Sequence, residues 1–172
     1  MGRYETPEYD VIEKEGNFEI RDYSDFYIVE YANAHDPNMN NGFGTLFNYI
    51  SKGNKQHEKI NMTVPVIMES TETGSKMAFI LPKDNWQNIP EPNDDRLRVQ
   101  PFQKGRFACI QYSGSWSSQK EQENTQKLRE WLKSKNLTPQ STMMMAVYNG
   151  PYVPAVFRRN EILVRISNGS TE

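Results

Sequence analysis

Gly53-Asn54-Lys55-Gln56-His57-Glu58-Lys59-Ile60-Asn61-Met62-Thr63-Val64-Pro65-Val66 joins the end of a short amphipathic helix to an extended strand. Before it, Asn41–Ile50 places Phe43, Leu46, Phe47 and Ile50 at helical spacing, which predicts a helix over 41–52 with those four as one buried stripe. After it, an apolar and β-branched run predicts a strand over 60–68. Pro65 inside that run offers no backbone donor and points to a sheet edge or a bulge.

Outward from this core, short strands and turns recur. Residues 9–13 and 18–23 read as strands closed by Gly16-Asn17 into a hairpin, and 26–34 reads as a further extended run. The helix follows, then strands over 60–68 and 76–81 with turn residues Thr71–Ser75 between them. A loop rich in Pro and Asn, 82–95, divides the chain. Strands over 97–102 and 107–113 follow, with Lys104-Gly105 as their turn. A longer helix comes next, with Ser118 and Glu121 as a capping box and Leu128, Trp131 and Leu132 as its buried stripe. Strands over 142–148 and 161–166 close the chain. Hairpin, helix, hairpin occurs twice, in halves of about 9–81 and 97–166 of one domain spanning 1–172. Two helices against a mainly antiparallel sheet give an α+β class.

At 172 residues and 36% hydrophobic, the chain buries a real core. Its net charge of −2 argues against nucleic-acid binding, which needs a basic surplus to neutralise phosphates. No apolar run is long enough to span a bilayer, so no transmembrane segment is expected. The start carries no hydrophobic signal core, so a cytoplasmic location is expected, unless a leader has been removed; a monomer is expected as well. Gly2 and Thr6 fit the loose pattern for N-terminal myristoylation. Cys109 is the single cysteine and lies in a strand-like run, so no internal disulfide forms and a buried, inert thiol is expected.

Residues that bear chemistry are sparse. His35 sits in a turn-forming Ala-His-Asp-Pro cluster and His57 in a polar loop; His57 is the remaining candidate for a metal ligand. No His-Glu-x-x-His, Gly-x-Ser-x-Gly or phosphate-cradling Gly-rich loop is present. This pattern favours a binding protein over an enzyme. Met143-Met144-Met145 reads as core filling. The loop 149–161 sets Tyr152, Val153 and Phe157 beside Arg158 and Arg159. Apolar flaps next to guanidinium groups suit a planar molecule bearing carboxylates.

Four ordered stretches now carry a resemblance. They are Tyr9-Asp-Val-Ile with Phe18-Glu-Ile-Arg-Asp-Tyr23, Lys59-Ile-Asn-Met-Thr-Val-Pro-Val66, Met77-Ala-Phe-Ile-Leu-Pro82 and Arg159-Asn-Glu-Ile162. Together they resemble the SOUL haem-binding family over 9–166. The resemblance implies a distorted antiparallel β-barrel with two helices, built from two pseudo-symmetric halves. It also implies a surface hydrophobic groove for haem or a related tetrapyrrole. Carried onto this sequence, the groove residues are Thr45, Asn48, Tyr49, Lys52, Met62, Tyr152, Phe157, Arg158 and Arg159. One branch of the family has a histidine directly after the Phe/Tyr-Glu-Ile-Arg segment as proposed axial ligand; Asp22 stands there in this chain, so iron loses its simplest nitrogen ligand.

The fold also resembles the gyrase-inhibitor-like effector-binding domains, some of whose relatives are hydrolases. That alternative makes Glu161 the pocket glutamate. A desolvated carboxylate there has a raised pKa and acts as general base, or else it is a structural acid paired with Arg158 or Arg159.

Overall fold

Gly16, at φ +63°, turns the chain between β1 (Tyr9–Glu15) and β2 (Phe18–Tyr23), and Glu15 pairs directly with Phe18. The left-handed backbone there costs a glycine little. The remaining elements are β3 (Phe26–Ala32), α1 (Gly42–Ile50), β4 (Val66–Thr71), β5 (Gly74–Ile80), β6 (Leu97–Phe102), β7 (Gly105–Tyr112), α2 (Ser118–Ser134), β8 (Met144–Val147) and β9 (Asn160–Ile166). They come from a computed structural model that describes residues 4–36, 38–71 and 74–167. Gly2 of the myristoylation pattern and residues 72–73 of the expected turn lie outside the described residues. The pairings β1–β2, β2–β7, β3–β5, β3–β6, β4–β5, β7–β9 and β8–β9 are antiparallel, and with two helices the class is α+β.

The strands fall into two units that share one pairing diagram. Unit one comprises Met1–Pro7 and Asp25–Gln103, and orders its strands β4-β5-β3-β6, with α1 between β3 and β4 in sequence. Unit two comprises Glu8–Ser24 and the chain from Lys104, and orders its strands β8-β9-β7-β2, with β1 added beyond β2 and α2 between β7 and β8. The halves are thus pseudo-symmetric, but their members differ from those read in the sequence. The first hairpin joins β7, and β6 pairs with β3. Lys104-Gly105 therefore closes no hairpin. The Arg165 guanidinium lies over Gly105, 2.3 Å from where a Cβ would stand. The 82–95 loop belongs to unit one, where the Tyr49 hydroxyl donates to Pro90 O at 2.6 Å and the Trp86 indole to Leu81 O at 2.8 Å.

The decisive stretch is shorter as a strand than its composition suggests. Asn54 is fully buried; its amide donates to Tyr49 O and Glu58 O, and its Oδ1 accepts from the Glu58 N–H. Gly53 is required beside it, since a Cβ would sit 2.5 Å from Asn48 O. Thr63 Oγ1 donates to Ile80 O, and Pro65 follows a cis bond without an N–H to offer. Side chains thus satisfy the backbone that a sheet would otherwise pair, and β4 begins only at Val66. Asn54→Ala strands one buried backbone partner, Tyr49 O, and two part-buried ones on Glu58, and the expected loss is about 1–3 kcal/mol in chemical denaturation. A loss under about 0.5 kcal/mol would assign the loop's shape to something else.

Two helix details also differ. On α1 the buried positions are Gly42, Leu46, Tyr49 and Ile50, whereas Phe43 and Phe47 are each 49% exposed and stack on one another at 6.0 Å. Leu46 and Ile50 keep their expected places, while Gly42 and Tyr49 take the inward positions expected of Phe43 and Phe47, with Tyr49 held in by its hydrogen bond to Pro90 O. On α2 the cap is Ser117, whose Oγ accepts from Lys120 N–H at 3.1 Å; Glu121 accepts from the Trp116 indole instead of closing a capping box.

Candidate ligand-binding cleft

The second half of α2 packs as its apolar stripe dictates. Leu128, Trp131 and Leu132 are buried against Ile20, Ile110, Ile162 and Val164, with Phe18 stacked on Trp131 at 4.8 Å. One to two turns earlier the neighbouring face carries Lys120, Glu123 and Lys127, all exposed, around the buried Asn124. Here they line a cleft of about 680 Å³ in unit two. Tyr112 and Ser113 at the end of β7 form a second wall. Val156, Phe157, Arg158 and Arg159 of the β8–β9 connection form a third. The size falls within the range of small-molecule sites, about 300–1,000 Å³.

The two neighbouring arginines part company, as alternation in extended backbone requires. Arg158 holds its own loop in shape: Nε donates to Val153 O at 2.7 Å, Nη2 to Pro151 O at 2.8 Å and Nη1 to Ser115 Oγ at 3.4 Å. Arg159 borders the cleft, yet its guanidinium is drawn to Glu161, with Nε and Nη2 donating to Oε2 at 2.9 and 2.7 Å. It also lies 4.0 Å over the Tyr148 ring. Lys120 and Lys127, which sequence reasoning passed over, extend the cationic lining along α2.

Glu161 is fully buried and fully engaged. Arg21, itself 1% exposed, grips it with two hydrogen bonds of 2.8 Å, and the Tyr148 hydroxyl donates to Oε1 at 3.2 Å. Arg21 also donates to Glu19 at 2.7 Å and to the Tyr23 hydroxyl at 2.7 Å. Burial alone would raise the Glu161 pKa. The hydrogen bonds and charges of Arg21, then of Arg159, outweigh it, so the net shift is downward. The raised pKa expected of a general base is thus reversed. The structural alternative holds, with Arg21 and Arg159 as partners and Arg158 bonded elsewhere. Asp22, where a histidine was considered, forms a two-point pair with Arg106 at 2.7 and 2.9 Å.

The other candidates belong to unit one. Thr45 is half-buried and donates to Asn41 O at 2.7 Å, while Asn48 is exposed beside Gly53. Tyr49 is wholly buried, and burial, with Glu58 adding, pushes its phenol up to about 12. Lys52 is exposed at φ +82°, ending α1, and Met62 packs half-buried on the core around Leu46 and Phe79. His35 and His57 are exposed, His57 at φ +53°. Among the described residues no group of three His, Cys, Asp or Glu side chains is arranged to hold a metal ion. Cys109 is buried in β7, which pushes its thiol pKa well up and leaves it a packing residue. In unit two, Tyr152 and Phe157 are 76% and 74% exposed.

The sequence matches the family model described as SOUL heme-binding protein over residues 4–165. The chain belongs to that family. Haem or tetrapyrrole binding is therefore its property at family level, with a small ligand as the expected partner. A comparison with curated proteins finds no match. Among solved structures, the SOUL chain is similar to the C-terminal domain of EcmrR, with 8% identity, a TM-score of 0.61, and 93% and 98% of the two chains covered. It is also similar to a hydrolase from Listeria innocua, with 6% identity, a TM-score of 0.58, and coverages of 91% and 94%. At such identities the likeness concerns the fold alone. No helix among the described residues is long and apolar enough to cross a membrane.

Proposed function

We propose that this SOUL protein binds a flat, carboxylate-bearing amphiphile of the tetrapyrrole class in the α2 cleft, through its faces and acid groups and without a side-chain bond to iron. One observation carries the reading: Val156 and Phe157 stand over the same cleft that Lys120, Lys127 and Arg158 line. Apolar side chains suit a macrocycle face, and ammonium and guanidinium groups suit its carboxylates.

The fit to haem stops at the metal. No His, Cys or Met lines the cleft. Tyr112 does, but its hydroxyl donates to Met145 Sδ at 3.8 Å, and burial, with Glu121 adding, pushes its phenol up to about 12. A phenolate ligand is therefore costly at neutral pH. Burying roughly 400 Å² of macrocycle at about 25 cal/mol/Å² gains on the order of 10 kcal/mol. Association costs of about 4–15 kcal/mol consume most of it, which leaves micromolar or weaker affinity.

The test is a titration with protoporphyrin and, separately, with its iron complex, followed by absorbance and tryptophan fluorescence. Affinities within about tenfold of each other are expected, because iron adds no bond. A much tighter iron form would establish coordination, and no binding of either at tens of micromolar would remove the ligand class.

A further inference from the structure

Two loops of unit two are tied into one surface. Gly114 N–H donates to Ala155 O at 3.0 Å, Asn160 Nδ2 donates to Gly114 O at 2.9 Å, and Arg158 reaches Ser115. This ties the β7–α2 loop to the β8–β9 connection. Their outward side chains are large and apolar: Trp116 is 53% exposed, Tyr152 76%, Val156 73% and Phe157 74%. Scattered exposed apolar residues need no explanation, but four on two cross-linked loops do. Arg158, bonded to two carbonyls of its own loop, holds them out instead of letting them fold back.

The charge beside this tip is opposite to that of the molecule. The adjoining cleft is lined by Lys120, Lys127, Arg158 and Arg159 against Glu123; with Arg159 paired to Glu161 and Glu121 held at the Trp116 indole, Lys120, Lys127 and Arg158 are its cations without an ion-pair partner among the described residues, while the whole chain carries −2. Trp and Tyr favour the membrane–water boundary, where an amphipathic ring meets both phases. Cations just behind them favour anionic headgroups.

We propose that this tip is a docking surface for an anionic lipid bilayer, which it enters to headgroup depth with Trp116, Tyr152, Val156 and Phe157. Docked so, the cleft lies beside the phase in which a flat amphiphile dissolves. That purpose rests on the ligand reading above, whereas the docking itself is tested without any ligand.

The experiment is co-sedimentation of the full chain with phosphatidylcholine vesicles, with and without phosphatidylserine. Binding is expected only with phosphatidylserine, and it weakens as salt is raised. Trp116→Ser with Tyr152→Ser should lower vesicle affinity at least about tenfold, and Trp116→Ser alone, outside both the cleft lining and the groove residues carried from the family, should leave protoporphyrin binding in solution unchanged. Val11→Thr with Ile12→Thr, exposed apolar residues on β1, should change neither. No binding to anionic vesicles, equal binding to neutral ones, or retained binding in the Trp116/Tyr152 variant would each overturn the proposal. So would a tip variant that loses a protein partner but keeps the vesicles. Vesicle binding by a chain that takes up no porphyrin would leave the docking surface standing and sink only the ligand reading.

Discussion

Arg21→Met is expected to cost about 3–5 kcal/mol of stability, the largest effect of any single substitution considered for this chain. The reason is the burial of its partner. Glu161 is inaccessible to water and meets Arg21 in two hydrogen bonds of 2.8 Å. Removing the guanidinium leaves a carboxylate that only the half-buried Arg159 and one tyrosine still hold. Adding Glu161→Leu to Arg21→Met should recover part of the loss, since two matched apolar side chains carry no stranded charge. Urea denaturation of the three variants measures this, and a single-variant loss below about 1 kcal/mol would refute it. The same pair fixes a pH dependence. The Glu161 pKa is lower in the folded than in the unfolded chain, so its stabilisation is fully present above the ordinary carboxylate value of 4.5. It is lost as pH falls below that value toward the folded pKa. Asp22, held down by Arg106, and Asp94, lowered to about 2 chiefly by its hydrogen bond from Arg96, act in the same direction. Stability should therefore fall on acidification below about pH 4.5, and Arg21→Met should lose Glu161's share of that slope.

Alternation and turn chemistry made most of the elements readable. β2 and β6 begin and end where the sequence places them, and Gly16 closes the first hairpin with a positive φ. What the sequence could not convey was partnership. Pairing of β2 with β7 and of β6 with β3 depends on contacts about 80 residues apart. Lys104-Gly105 looked like a hairpin turn, yet the strands on either side of it pair with β3 and β2. Family anchors were legible as text but not as physics. Phe18-Glu-Ile-Arg-Asp-Tyr23 and Arg159-Asn-Glu-Ile162 each place a charge inside a strand, and the two charges meet in the core as Arg21 and Glu161. In the cleft, Phe157, Arg158 and Arg159 were named from composition, and all three line it. That the arginines turn to different partners follows from strand alternation and was available beforehand. Lys120 and Lys127 stand seven residues apart and so share one face of α2, but nothing in the sequence marks that exposed face as bordering a cleft.

Lys120→Gln with Lys127→Gln should weaken binding of protoporphyrin about 100-fold while leaving folding stability within about 0.5 kcal/mol of the parent. The two positions lie seven residues apart, about 10.5 Å along the helix, so each lysine is placed to meet a separate acid group. Neither ammonium has a hydrogen-bond partner among the described residues, in contrast to Arg158 and Arg159, so a ligand carboxylate displaces nothing from the protein. Each contact is a charge-assisted hydrogen bond worth about 1.5 kcal/mol or more, roughly tenfold in affinity, and two at separate points add. Glutamine keeps the aliphatic stem and removes only charge, so a loss reports the carboxylate contacts and not the packing of α2. The dimethyl ester of the same porphyrin supplies the matching change on the ligand, binding parent and double variant alike. Fluorescence titration at low and high salt completes the argument, because exposed charge contacts fade beyond a Debye length of about 8 Å at physiological ionic strength. Equal affinity of parent and double variant for the free acid would move the site off α2 altogether.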